Sequence, residues 1–358
     1  MSQNPYQSLE AKAFWLPAVA KRNMFDISDL WVAPFPITQS TKITTYGSCF
    51  AQHFSRALVA RGFRRIDAEP APRGLSNDSN KTFNYGVFSA RTGNIYTTSL
   101  LKQWTEWALG HKSPPDLFWE KDGRYFDPFR PVIEPDGFGS LEELLASRAH
   151  TIAAFRASIL DSNLFVFTLG LTESWWDRDT GVEYPMCPGT IAGEFDDQKH
   201  LFKNQDYSFV YQNLHDAIAM IRKAHENGPA FLLTVSPVPL TATNSGNHVL
   251  VATMESKSVL RAVAGQIARD MDDTSYFPSY EIINAAPYRA TFFEPNLRSV
   301  NINGVNHVMK TFFQGLQELP IDTPPTGEPA TGTDDAPRPS STDLACEEEL
   351  LSAFGPKK

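Results

Sequence analysis

Residues 163–169, Asn-Leu-Phe-Val-Phe-Thr-Leu, are apolar at nearly every position and are closed off by Asp161 and Ser162 on one side and Gly170 on the other. A strand with one wet face alternates between apolar and polar residues. A strand that does not alternate is buried on both faces, and that places it inside a parallel sheet covered by helices. Residues 230–235 repeat the pattern. Parallel strands need long crossovers, and the stretches around these runs supply them as helices. Residues 140–157 carry Leu141, Leu144, Leu145, Ile152 and Phe155 at helical spacing, and residues 100–109 carry Leu100, Leu101, Trp104 and Trp107. Residues 209–226, 256–271 and 304–316 read as further helices, with 276–277 starting a last extended piece. The expectation is an α/β fold with an open, mostly parallel sheet.

The first strand-to-helix transition is the most informative for function. An extended run over residues 41–46 gives way to a helix over 52–62, with Phe54, Ala57, Leu58 and Phe63 on one side and Gly62 as a stop. Ser48 therefore stands on a turn at the carboxyl end of a strand, where open α/β sheets bind ligands. Thr172, Glu173, Ser236 and Pro237 fall at the same end of later strands. Two roles fit Ser48: a helix N-cap, or a nucleophile facing the helix N–H groups. The neighbouring Gly47 lets the backbone bend and a substrate approach. Cys49 either packs inward or serves as the reactive group, since a helix N-terminus stabilises a thiolate.

Several motifs carry a family resemblance. Residues 46–51 read Tyr-Gly-Ser-Cys-Phe-Ala, and 85–97 contain Tyr85-Gly86, Phe88-Ser89-Ala90-Arg91 and Gly93-Asn94-Ile95-Tyr96-Thr97. Residues 169–175, 234–240 and 276–282 add three more blocks in order. The chain resembles the GSCFA-domain family over roughly residues 11–316, a family that looks like a divergent branch of the SGNH hydrolases. The resemblance implies a flavodoxin-like, SGNH-type three-layer sandwich with loop insertions over residues 1–319. It also implies Ser48 as nucleophile, with oxyanion or substrate contacts from Asn84, Gly86, Gly170 and Thr172; Gly47 and Cys49, beside the serine on its turn, and His248, in the loop after Pro237, join that set by position.

The same resemblance exposes a departure. SGNH enzymes place an Asn donor in the third block, where this chain has Thr172 and Glu173; a Glu donates only when protonated. They place the base in Asp-x-x-His, where this chain reads Asn296-Leu297-Arg298-Ser299. His307, expected near the start of the final helix and capped there by Asn301 or Asn303, is the first choice as base. His248 is the second, and Glu173 orients a His, binds a sugar hydroxyl or replaces the base. His53, five residues after Ser48, points about 140° away on a helix. The implied function is an esterase or O-acyltransferase acting through acyl-Ser48 on a small-molecule or saccharide ester, with Trp175 and Trp176 available to stack on a sugar or simply to pack. The alternative is a non-catalytic ligand-binding module that keeps the cleft without the base.

Composition narrows the rest. Formal net charge of −9 speaks against a nucleic-acid groove. Three cysteines are too few for a disulfide framework or a zinc site, and no phosphate loop, paired-His motif or dinucleotide fingerprint occurs. The expectations are thus no cofactor, no metal and no membrane span, and a cytoplasmic location, since residues 1–12 lack a signal-peptide pattern. Residues 112–138 read as an irregular surface insertion. Residues 320–343 read as a disordered linker rich in Pro, Thr, Ser and Asp. The stretch 344–354, beginning at Leu344 and bearing Leu350, Leu351 and Phe354, reads as a short helix: either a frayed tail or a docking peptide for a protein partner.

Overall fold

The computed structural model describes residues 4–316 and 347–355. The first strand and helix are β1 (Ile43–Gly47) and α1 (Phe50–Ala60), followed by α2 (Asn77–Thr82) and α3 (Thr98–Ala108). A hairpin, β2 (Trp119–Lys121) and β3 (Arg124–Phe126), leads to α4 (Leu141–Leu160) and β4 (Leu164–Leu169). Next come β5 (Glu173–Asp177), β6 (Glu183–Tyr184), β7 (His200–Asn204), α5 (Tyr207–Ala224) and β8 (Ala230–Val235). The last elements are α6 (Val249–Asp270), β9 (Thr274–Tyr276), α7 (Ser279–Asn284) and α8 (Ile302–Gln314).

The central sheet has the order β1-β4-β8-β9, with every pair parallel. One further parallel bridge, Ile43 to Arg65, lies on the outer side of β1. Counting that bridge, the chain steps outward from β1 once and then inward to β4, so the order reverses between β1 and β4. In open α/β sheets such a reversal leaves a crevice at the carboxyl ends of the two strands.

Two apolar layers sandwich the sheet. On one face, Tyr46, Phe165, Phe167, Phe231 and Leu233 pack with residues of α3, α4, α5 and α6, including Trp104, Phe155, Leu214 and Val263. On the other, Ile43, Leu164, Val166 and Leu232 pack with α1, α7 and α8 through Phe54, Ile283 and Phe312. The strands alternate which face each residue serves, so a run apolar at every position is what a two-sided sheet requires. Right-handed crossovers that always advance in one direction along the sheet put α4, α5 and α6 on a single face. The other face is left to α1 and the returning end of the chain.

The structure departs from the sequence reading in three places. Residues 173–204 form a separate antiparallel sheet of order β6-β5-β7. The stretch expected to be an irregular insertion holds the β2–β3 hairpin. Helix α6 begins at Val249, seven residues before the apolar periodicity becomes clear, because His248 caps it. The linker read over 320–343 lies outside the described residues, as do 344–346. Residues Glu347–Phe354 form 3-10 turns, and Arg298 reaches Glu349 there at 3.1 Å. Among the described residues no helix is long and apolar enough to cross a membrane.

Candidate functional site

The end of β1 is set by one close approach. Gly47 has φ of +137°, and a Cβ on it would fall 2.4 Å from the Thr168 carbonyl oxygen of β4. Only glycine lets the two strands run this close to their ends. Ser48 follows, with its N–H donating to the Thr168 carbonyl at 3.1 Å. Its side chain is 2% exposed, and its Oγ has no hydrogen-bond partner. Thr168 Oγ1, on the facing strand end, is likewise buried and unpartnered. Buried polar atoms are almost always hydrogen-bonded, so two orphan hydroxyls at neighbouring strand ends call for a functional account.

The cap role for Ser48 does not describe this turn. Helix α1 has Cys49 in the N-cap position, with no side-chain hydrogen bond closing the helix end. Cys49 is itself buried, so its inward-packing role fits the geometry.

Two backbone segments enclose the serine. Residues 92–97 run alongside it, tied by the Ile95 N–H to the Gly47 carbonyl at 2.9 Å. The segment after β4 is tied in turn, with the Gly170 N–H donating to the Tyr96 carbonyl at 2.9 Å. A Cβ on Gly170 would lie 3.1 Å from Ser48 Cβ, so the absent side chain is what gives the serine room. Helix α6 clamps this segment from outside. Ser256 Oγ accepts from the Thr172 N–H at 3.1 Å, and the buried Lys257 Nζ donates to the Gly170 carbonyl at 2.5 Å. A narrow recess beside α1 is lined by Gln52, Asn84, Arg91, Gly93 and Asn94, among others, with Gln52 Nε2 3.4 Å from Asn94 Oδ1.

Several residues read from the sequence are engaged elsewhere. The Ser48 and Gly170 N–H groups are both spent on backbone carbonyls, which removes them as oxyanion donors in this conformation. Thr172 donates its hydroxyl to Asn204 at 2.7 Å. Asn84 lines the recess, but its amide donates to the Val132 carbonyl at 3.2 Å. Gly86 is exposed, with Arg65 rather than Ser48 beside its Cα. Glu173 is a loop clamp: its carboxylate accepts from Thr243 Oγ1 and, at 3.0 Å, from the Asn244 N–H. Trp175 packs against Phe195 and Phe202, and the Lys203 ammonium sits 4.5 Å over the Trp176 ring, so both indoles are part of the packing.

No histidine hydrogen-bonds to Ser48. His307 stands in α8, capped by Asn301 as expected. Its ring is enclosed by Phe25, Tyr288 and Phe292, and Nε2 is buried without a partner. Burial there, with Lys310 nearby, holds His307 below the usual imidazole range. His248 is exposed, and its Nδ1 accepts from the Leu250 N–H as the α6 cap. His53 lies half-buried against Phe50, and burial, with Arg56 one turn along, pushes it down to about 4. At the positions where Asp and His were expected, Asn296 donates to Ser299 at 3.0 Å in a surface turn. Among the described residues no group of three or more His, Cys, Asp or Glu could hold a metal.

The sequence reading passed over Asn94, Gln52 and Lys257. The signal for Lys257 was present: it falls four residues after Thr253 and three before Leu260, on the buried face of α6. A lysine on that face needs a reason.

Fold and site together define a three-layer α/β protein with a buried serine at the switch point of its parallel sheet. The sequence model of the GSCFA family matches residues 42–312. The chain belongs to the GSCFA family. No curated protein and no solved structure matches it.

Proposed function

We propose that this protein is an SGNH-like serine esterase or O-acyltransferase acting on an acyl ester of a saccharide or other small metabolite. The observation that carries this reading is the Ser48 hydroxyl: buried, unpartnered, uncapping, and held at the β1–β4 switch point by two glycines. A hydroxyl kept there without a structural bond is available to attack. In the reaction, Ser48 Oγ bonds to the acyl carbonyl carbon as its proton leaves. The tetrahedral oxyanion collapses, and the ester C–O bond breaks with the alkoxide taking up a proton. Acyl-Ser48 is then discharged by water in hydrolysis or by an acceptor hydroxyl in transfer. The Asn94 and Gln52 side-chain amides, which line the recess beside α1, are the donors assigned to the oxyanion, since the Ala51 and Gln52 N–H groups of α1 are already spent on the Ser48 and Cys49 carbonyls.

Reaction of the full chain with a fluorophosphonate tests this. Stoichiometric labelling that disappears in Ser48→Ala is the expected result. A second reading, a binding module on the same fold, is favoured by one observation: Asn296 and Ser299 bond to each other where SGNH enzymes carry Asp and His. A folded wild-type chain that takes up no fluorophosphonate over hours would decide for the module.

A further inference from the structure

We propose that Lys257 is the proton acceptor for Ser48, taking the place of the histidine base; the proposal rests on reading Ser48 as a nucleophile. Both residues converge on Gly170. Ser48 Cβ lies 3.1 Å from where a Gly170 side chain would begin, and Lys257 Nζ holds the Gly170 carbonyl oxygen at 2.5 Å. Lys257 is 2% exposed although it lies in the middle of a 22-residue helix. Its neighbour Ser256 fixes the helix on the Thr172 N–H, so the lysine stem enters the site from a rigid element. None of the histidines makes a bond to Ser48 Oγ.

The chemistry suits an amine. Removal from water favours the neutral form of an amine over the ammonium, and a neutral lysine is the activating partner in serine–lysine catalysis. A neutral amine can also donate one N–H to a carbonyl and still present its lone pair. The flexible stem moves Nζ from the Gly170 carbonyl to the hydroxyl by rotation about its terminal bonds. Lys257 then takes the Ser48 proton as the O–C bond forms. As the ester C–O bond breaks, the ammonium returns that proton to the leaving oxygen. Water or an acceptor hydroxyl gives up its own proton to the same amine in the second half, and Ser48 recovers it.

The test is the pH dependence of fluorophosphonate labelling by the full chain, comparing wild type with Lys257→Met, Lys257→Arg, His307→Gln and Ser48→Ala. Wild-type labelling should rise with pH through an inflection. Lys257→Met should label on the order of 10²-fold slower or worse, with the inflection lost. Lys257→Arg retains an N–H donor for the Gly170 carbonyl, and circular dichroism should show it folded, but a guanidinium cannot give up its proton to become a base; it should be as slow as the methionine variant. Wild-type-like labelling in Lys257→Arg would overturn the proposal and leave the lysine as a structural cation. Loss of the inflection in His307→Gln alone would overturn it in favour of that histidine. Undiminished labelling of Ser48→Ala would instead remove the nucleophile reading beneath it, so the two failures are distinguishable.

Discussion

At Ser48 the energetic sign of a substitution separates structure from function. A buried hydroxyl without a partner costs roughly 1–3 kcal/mol in lost solvation. Ser48→Ala should therefore leave urea stability unchanged or raise it by up to about 1 kcal/mol while abolishing labelling. A loss of stability would mean the hydroxyl has a structural bond. The two glycines behave oppositely. Gly47→Ala forces a left-handed φ and drives a methyl into the Thr168 carbonyl, and neither strand end can yield without breaking the register of the central sheet. Destabilisation of about 3 kcal/mol or more is expected, read as a fall in the urea midpoint. Gly170→Ala meets Ser48 Cβ and the Tyr96 carbonyl at 3.0–3.1 Å, distances that a shift of a few tenths of an ångström relieves. It should fold with a smaller loss, about 1–2 kcal/mol, yet label far more slowly, because the shift is taken up beside the nucleophile.

Helix ends carry the same contrast at the scale of elements. Side chains close α3, α4, α5, α6 and α8 through Thr97, Ser140, Asp206, His248 and Asn301, whereas α1, the helix that starts at the candidate site, has none, and of the remaining helices the six-residue α7 also lacks one. Asn301→Ala should cost about 1–3 kcal/mol, since Asn301 caps Gly304 and also donates to the Thr291 and Phe293 carbonyls. Thermal unfolding of that variant beside Ser48→Ala would display a capped and an uncapped start in one protein. Elements with a strong period were legible in the sequence: β4 and β8 fall within a residue of the apolar runs at 163–169 and 230–235, because two-sided burial leaves no polar position to blur the ends. The β5–β6–β7 sheet was not. Its strands are five, two and five residues long and mix Trp, Glu, Asp and Lys without alternation, since the Trp175 and Trp176 rings pack on Phe195 and Phe209, both outside the sheet. Ser48 was legible as a strand-end serine, and Gly170 as the end of a buried run. The spacing that puts Lys257 on the buried face of α6 was legible as well, but the register of α6 against that run, which brings the lysine to Gly170, was not. His248 and Glu173 drew notice as chemical groups, but their bonds are a helix cap and a loop clamp.

For the molecule as a whole, the carboxylate of Glu183 joins the small antiparallel sheet to α3 and sets part of the pH response. It is fully buried, accepts from Thr97 and Ser99, and its own backbone N–H donates to Gln103 Oε1 at 2.8 Å. Burial pushes this carboxyl up from 4.5 to about 7, with the two hydroxyls and then Lys203 opposing. Between those pH values the folded protein holds a proton that the unfolded chain has released. Glu183 therefore stabilises the fold relatively in acid, and its contribution falls as pH rises from about 4.5 to 7. His53 works the other way: lowered from 6.5 to about 4, it leaves the unfolded chain with more protons over that window, so its contribution rises with pH. From 4.5 to 6.5 the two slopes oppose one another and flatten the wild-type profile. Glu183→Gln keeps the shape and the hydrogen-bonding capacity while removing the falling slope. Urea unfolding across this range should then show stability rising with pH, and a variant more stable than wild type at pH 7.5 by on the order of 1–3 kcal/mol. A parallel pair of profiles would mean that Glu183 stays ionised in the fold, with Lys203 as its effective counter-ion.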